Sequence, residues 1–217
     1  VSERSVVRVD TDLPAAQLSV IGCAVLTGAG AVFNIADVGA GTSLLVVGAG
    51  GIGLAAIQAG RALGAHPIAA IDPSDAARAA ALRAGATIAC DPGDTQLLLA
   101  VTDSRGFDVA IDCVSTGATL DVTWPLTRRG GEIVLVGVTA SSEQFPFAPI
   151  DVVLSGRRLT GCVYGGSSIH RDIPRYVRLA EAGKLDLAAL IGRTVSLQDV
   201  PELLLHGPIG PGRTIVR

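Results

Sequence analysis

Methionine is absent from this 217-residue chain, and aromatic side chains make up only 3% of it. With Val1 in first place, the missing methionine means either an alternative start codon read literally or a piece of something longer, and the composition points to a fragment. Scarce aromatics beside abundant alanine leave a chain of small side chains, suited to tight helix-on-sheet packing. Charge is also sparse, at 17% of residues with a net charge of −3. Without a basic run, nucleic acid and anionic membranes are poor partners. Long uninterrupted apolar runs are missing too. The stretch from Leu18 to Val32 is punctuated by Gly22, Gly28 and Gly30 and falls short of a membrane span, and the N-terminus lacks the order of a signal peptide. A cytoplasmic protein is expected. The four cysteines, Cys23, Cys90, Cys113 and Cys162, show no paired spacing, which favours reduced thiols over a disulfide framework. The 49% hydrophobic content is ample for a buried core.

The most specific feature present is Gly48-Ala49-Gly50-Gly51-Ile52-Gly53, which follows the apolar run Ser43–Val47 and opens the helix-compatible stretch Leu54–Leu63. A GxGxxG set between strand and helix is a dinucleotide-binding pattern. Gly48 permits the tight turn, Gly50 lets backbone approach a pyrophosphate, and Gly53 lets the helix pack closely on the strand. Gly51 and Ile52 supply backbone at the helix start, where free amides and a partial positive charge favour phosphate. The next apolar run, Pro67–Ile71, ends at Asp72, about 20 residues past the last glycine, where a ribose-binding acid belongs. A carboxylate there opposes a 2′-phosphate by roughly 4 kcal/mol per charge pair at about 4 Å, so NAD is expected over NADP. The nearest cation, Arg78, lies more than a turn into the following helix and is not expected to assist. The alternative reading of Asp72 is a capping or turn residue before Pro73.

Strand-like and helix-like segments then alternate: Thr87–Cys90 with Thr95–Val101, Val109–Ile111 with Ala118–Leu126, Glu132–Val136 after a Gly130-Gly131 turn, and Arg158–Tyr164 last. Six strands with crossover helices predict an α/β fold, a doubly wound parallel six-stranded sheet of Rossmann type. Right-handed crossovers place Gly48, Asp72, Asp112 and Val136 along one ligand-bearing edge. The expected division is a flank over residues 1–38, a NAD-binding domain over 39–164 and a second flank over 165–217, with helices near Ile173–Ala182 and Leu197–Leu205. Gly207, Pro208 and Pro211 are expected to stop the last of these.

Taken together, Ile21-Gly22-Cys23-Ala24-Val25-Leu26-Thr27-Gly28, the glycine loop, Asp72, Val136-Gly137-Val138, Gly161-Cys162-Val163-Tyr164-Gly165-Gly166 and Gly212-Arg213-Thr214-Ile215 resemble the zinc-dependent medium-chain alcohol dehydrogenases. The glutathione- or mycothiol-dependent formaldehyde dehydrogenase branch is the nearest likeness. The resemblance implies hydride transfer between an alcohol or aldehyde, in that branch a thiol adduct, and nicotinamide, assisted by zinc. It makes Cys23 the last of three zinc ligands, the other two belonging to an N-terminal domain that precedes this stretch, so the flanks read as remnants of a catalytic domain. Thr27 matches a residue near the nicotinamide, and Ile52 an apolar contact under the cofactor. Val136, Val138, Cys162 and Tyr164 match backbone contacts to the carboxamide end, and Arg213 a pyrophosphate-binding arginine. A homodimer through the edge near Arg158–Gly166 is implied as well. Ala77 departs from the family, where many relatives carry lysine near the adenosine.

Without the resemblance, Cys23 reads as a small buried hydrophobe and Arg213 as a surface cation. The functional expectation is the cofactor half of an NAD- and zinc-dependent alcohol or aldehyde oxidoreductase, inactive by itself. The alternative is a non-catalytic NAD-binding module that docks a partner chain. A short-chain dehydrogenase is disfavoured because neither Tyr164 nor Tyr176 begins a YxxxK.

Overall fold

The computed structural model describes residues 2–206 and 210–217. Six strands, β1 (Leu44–Val47), β2 (Ile68–Ile71), β3 (Ile88–Cys90), β4 (Phe107–Asp112), β5 (Thr127–Leu135) and β6 (Arg158–Gly161), make one sheet in the order β3-β2-β1-β4-β5-β6. Every pairing is parallel. Chain order reverses between β1 and β4, which in an open doubly wound sheet opens a crevice at the carboxyl ends of those strands. All four residues of β1 are buried, as a central parallel strand covered on both faces requires.

The helices are α1 (Ala15–Ile35), α2 (Gly51–Leu63), α3 (Asp75–Ala84), α4 (Gln96–Ala100), α5 (Gly117–Leu126), α6 (Pro149–Ser155), α7 (Ile169–Glu181) and α8 (Val200–His206). Their ends follow from sequence. The Ser74 hydroxyl accepts from the Ala77 amide to start α3, and Thr116 forms a capping box with Thr119 at α5. Gly64 and Gly85 close α2 and α3 in left-handed conformations. The expected stop at Gly207 and Pro208 lies outside the described residues.

Strand side chains alternate between two cores. Leu44, Val46, Ile68, Val109, Ile111 and Val134 face a layer that includes Leu26 of α1, Ile57 of α2, Ala81 of α3 and Tyr176 of α7. Leu45, Val47, Ala69, Ile71, Phe107 and Ile133 face Leu98 of α4 and Leu120 and Leu126 of α5. Fully buried leucines and isoleucines such as Leu44 and Ile57 each contribute about 1.5–3 kcal/mol of transfer free energy. The first core draws on both flanks as well as on the sheet.

Three local features differ from the sequence expectation. The glycines of the Leu18–Val32 stretch do not end it: α1 continues for 21 residues with π-helical turns over Ile21–Val25 and Ala31–Ile35, long and apolar enough by composition to cross a membrane, yet 61% of its most apolar window is buried inside the fold. Gly28 and Gly30 serve close approach instead, while Gly22 faces open space. A Cβ on Gly28 would lie 2.1 Å from the Ile52 carbonyl oxygen, and one on Gly30 2.6 Å from that of Gly165. Gly130 and Gly131 lie within β5 rather than in a turn before it, where the register against β4 shifts and Gly130 takes φ +71°. A second, two-stranded parallel sheet, β7 (Ile191–Val195) with β8 (Arg213–Val216), brings the C-terminal segment back to the rest of the fold.

Candidate functional site

At the carboxyl end of β1 the chain turns sharply at Gly48, whose φ is +86° and whose N–H donates to the Ile71 carbonyl at 2.8 Å. A Cβ on Gly53 would lie 1.9 Å from the Gly48 carbonyl oxygen, so only glycine lets α2 fold back this closely. Gly50 differs in kind. It precedes the first turn of α2 with extended backbone and no capping side chain, and a Cβ there would meet no atom within 4 Å. Its missing side chain leaves open space in front of the positive end of a helix, the setting in which backbone amides hold a diphosphate. The residues therefore fit a dinucleotide.

Asp72 follows β2 directly. One carboxylate oxygen accepts the Ala49 N–H at 2.8 Å and the other the Ser74 N–H at 2.9 Å, tying the acid to the glycine loop. A carboxylate oxygen carries two acceptor positions, so each retains one for a hydroxyl. Arg78 corrects the sequence reading. Its side chain folds back from α3, and Nη1 donates to the Asp72 carbonyl oxygen at 2.6 Å. The same guanidinium pairs with Asp75, and with Asp91 at 3.4 Å.

On the other side of the crevice, Asp112 ends β4 with its carboxylate fully buried. It accepts from the amides of Val114 and Ser115 at 2.9 and 2.8 Å and from the Thr119 hydroxyl at 2.7 Å. This fixes a turn in which Ser115 takes φ +61° and its hydroxyl oxygen accepts the Gly137 N–H at 2.9 Å. Val136 donates to the Asp112 carbonyl oxygen at 2.8 Å. A Cβ on Gly48 would fall 2.8 Å from Val114 Cγ2, so the same turn also closes against the glycine loop. Val136 is buried and Val138 wholly exposed. Cys162 is buried after β6, its N–H donating to Leu135.

Helix α1 brings in the remaining positions. Thr27 is buried, adjacent to the Gly28 that packs on Ile52. The Tyr164 hydroxyl donates to the Gly22 carbonyl oxygen. Cys23 is exposed, with Arg213 Nη2 at 4.0 Å from its sulfur. Arg213 lies across Gly51, where a Cβ would be 2.8 Å from Nε, so β8 delivers this cation to the start of α2. A surface cavity of about 330 Å³ opens beside Cys23, Ala24, Arg213 and Thr214. Thus α1, α2 and β8 converge beside this cavity.

Zinc does not fit these residues alone. Among the described residues, no three His, Cys, Asp or Glu side chains converge on one position, and a tetrahedral catalytic zinc takes three protein ligands. Cys23 is a single donor beside a cation. Burial pushes the Cys113 thiol far up, reinforced by Asp112, and also raises Cys162 and Cys90.

The turn built by Asp112 and the fold-back of Arg78 were not read from sequence. An aspartate ending a strand marked the first as an edge position, but nothing local distinguishes an inward carboxylate from one facing a ligand.

Residues 51–182 match the family model described as zinc-binding dehydrogenase. The chain is 34% identical over 194 residues to geraniol dehydrogenase of Castellaniella defragrans, covering 88% of the chain and 52% of that protein. It is 32% identical to S-(hydroxymethyl)glutathione dehydrogenase of Photobacterium damsela subsp. piscicida, covering 95% of the chain and 58% of the relative. The solved structure of benzyl alcohol dehydrogenase from Acinetobacter calcoaceticus superposes with a TM-score of 0.86 at 28% identity, over 92% of the chain and 55% of that structure. The chain thus spans a little over half the length of these relatives. By the family match and these likenesses, the chain belongs to the zinc-dependent medium-chain alcohol dehydrogenases and corresponds to the C-terminal part of its members.

Proposed function

We propose that this chain is the NAD-binding portion of a zinc-dependent oxidoreductase that moves hydride between a small alcohol or aldehyde and nicotinamide. The observation that carries the reading is the pairing of Asp72 with the glycine loop: an acid at the end of β2, bonded to the Ala49 amide, beside an uncapped helix start with open space at Gly50. Gly48 and Gly53 shape the loop, Gly50 and Gly51 present backbone to the pyrophosphate, Asp72 takes the adenosine ribose hydroxyls, and Arg213 offsets phosphate charge from across Gly51. Ile52 and Thr27 form the wall under the nicotinamide, and Val136, Val138, Cys162 and Tyr164 frame its carboxamide with main chain. Bound NAD supplies the hydride acceptor. These residues position it and exclude water from one face, while Cys23 serves as one zinc ligand only when two further donors complete the site.

Substrate class follows the names of the relatives, which act on geraniol, benzyl alcohol and a hydroxymethyl thiol adduct. The exposed Leu154, Leu159 and Val163 beside β6 support a homodimer through that edge. Calorimetric titration of the purified chain with NADH, followed by an assay with zinc, NAD and a primary alcohol, tests the reading. NADH binding without turnover is expected. Absence of NADH binding refutes the cofactor assignment, and turnover by the chain alone refutes the need for further zinc donors.

A further inference from the structure

Arg78 occupies a position that the ribose assignment of Asp72 does not use. Its Nη1 bonds the backbone carbonyl of Asp72 at 2.6 Å and touches the Asp91 carboxylate at 3.4 Å, while Nη2 pairs with Asp75. A guanidinium is therefore anchored on the main chain of the very residue whose carboxylate faces the ribose. Its side chain is 20% exposed, so it is held in place rather than free in solvent. An arginine fork has five N–H donors and matches phosphate oxygens two at a time. By placement alone it is a partner for a 2′-phosphate. What opposes that role is charge: Asp72, Asp75 and Asp91 surround one arginine, and the four groups together carry a formal −2.

We propose, building on the NAD-site reading above, that Arg78 is a latent 2′-phosphate partner held in check by Asp75 and Asp91, and that cofactor specificity is set by this four-residue cluster rather than by Asp72 alone. The two flanking carboxylates discriminate by field more than by contact. Asp75 is 94% exposed and Asp91 48%, where individual ion pairs hold weakly, but a dianionic phosphate feels every nearby charge. Asp75 and Asp91 come from α3 and from the segment after β3, so the cluster exists only once β2 and β3 pair and α3 packs.

The test is calorimetric binding of NADH and NADPH to the purified chain at low salt, comparing affinity ratios rather than absolute affinities. In Asp75→Asn/Asp91→Asn the ratio is expected to shift toward NADPH by about tenfold, and added salt narrows the shift. Adding Arg78→Gln to that variant returns the ratio toward the starting value. Arg78→Gln alone widens the preference for NADH, read as the affinity ratio. The substituted carboxylates are exposed, so the variants keep the fold, which circular dichroism checks. An unchanged ratio in the double variant overturns the role of Asp75 and Asp91, and a shift that survives Arg78→Gln overturns the role of Arg78. A parent chain that binds NADPH as tightly as NADH overturns the proposal while the dinucleotide site stands. A parent chain that binds neither dinucleotide overturns the site assignment itself.

Discussion

Two single-carbon additions separate the structural from the ligand-facing glycines. At Gly53 an added Cβ would lie 1.9 Å from the Gly48 carbonyl oxygen and 3.0 Å from its carbon, and both atoms are backbone. Neither can turn aside, so Gly53→Ala must push α2 off β1. Overpacking of this kind costs about 1–3 kcal/mol, and the upper end is expected because the obstacle is main chain. At Gly50 the φ of −74° suits any L residue and the Cβ meets nothing within 4 Å. Gly50→Ala then loses about 0.5–1 kcal/mol in capping preference and regains about 0.4–1 kcal/mol from the stiffer unfolded chain. Its stability should stay within about 0.5 kcal/mol of the parent. Yet the added methyl enters the space assigned to the pyrophosphate, so NADH affinity should fall by tenfold or more, about 1.4 kcal/mol. Urea unfolding with a shared slope reads the first quantity, and calorimetric titration the second. A Gly50→Ala chain that binds NADH as well as the parent refutes the pyrophosphate cradle. An undisturbed Gly53→Ala chain refutes the packing argument.

Acid should destabilise the fold from two points on it. Burial raises Asp108, but hydrogen bonds from Ser43 and then Arg128 outweigh it and leave the acid below its ordinary value; burial also raises Asp172, and Arg171 and the Ser168 amide outweigh it there. Depressed carboxylates contribute in full above their unfolded value of about 3.9 and lose that contribution as pH falls through the folded values, so the urea midpoint should be flat from about pH 7 to 5 and drop below about 4. Asp108→Asn should flatten part of that drop, and an unchanged pH profile refutes the assignment. Asp112→Ala strips three donors of a buried carboxylate and should cost about 3 kcal/mol, with NADH affinity falling too, whereas Asp112→Asn keeps an acceptor for the two amides and should cost about 1 kcal/mol. Equal losses in the two variants count against the turn-holding role.

Residues that act through their own backbone or their immediate neighbours were legible in the linear chain. The GxGxxG between an apolar run and a helix, and the acid ending the next run, specify a tight strand-to-helix loop tied to the neighbouring strand because turn geometry, helix polarity and strand ends are local. The six strands were legible for the same reason, since short apolar runs and glycine or serine helix ends repeat along the chain. Glycines proved ambiguous. In α1 they mark close approach to Ile52 and Gly165, and in β5 a bulge, and which role a glycine plays depends on what packs against it.

Sequence alone determined the doubly wound sheet, the position of the glycine loop and Asp72, and the family likeness, because each rests on short-range pattern. Tertiary structure alone decided that Arg78 turns back onto Asp72 between Asp75 and Asp91, that Arg213 crosses Gly51 to reach Cys23, and that the Asp112 carboxylate points inward. Those partners are separated along the chain or joined by long flexible side chains, and their pairing is settled only when strand order and helix packing bring their backbones together.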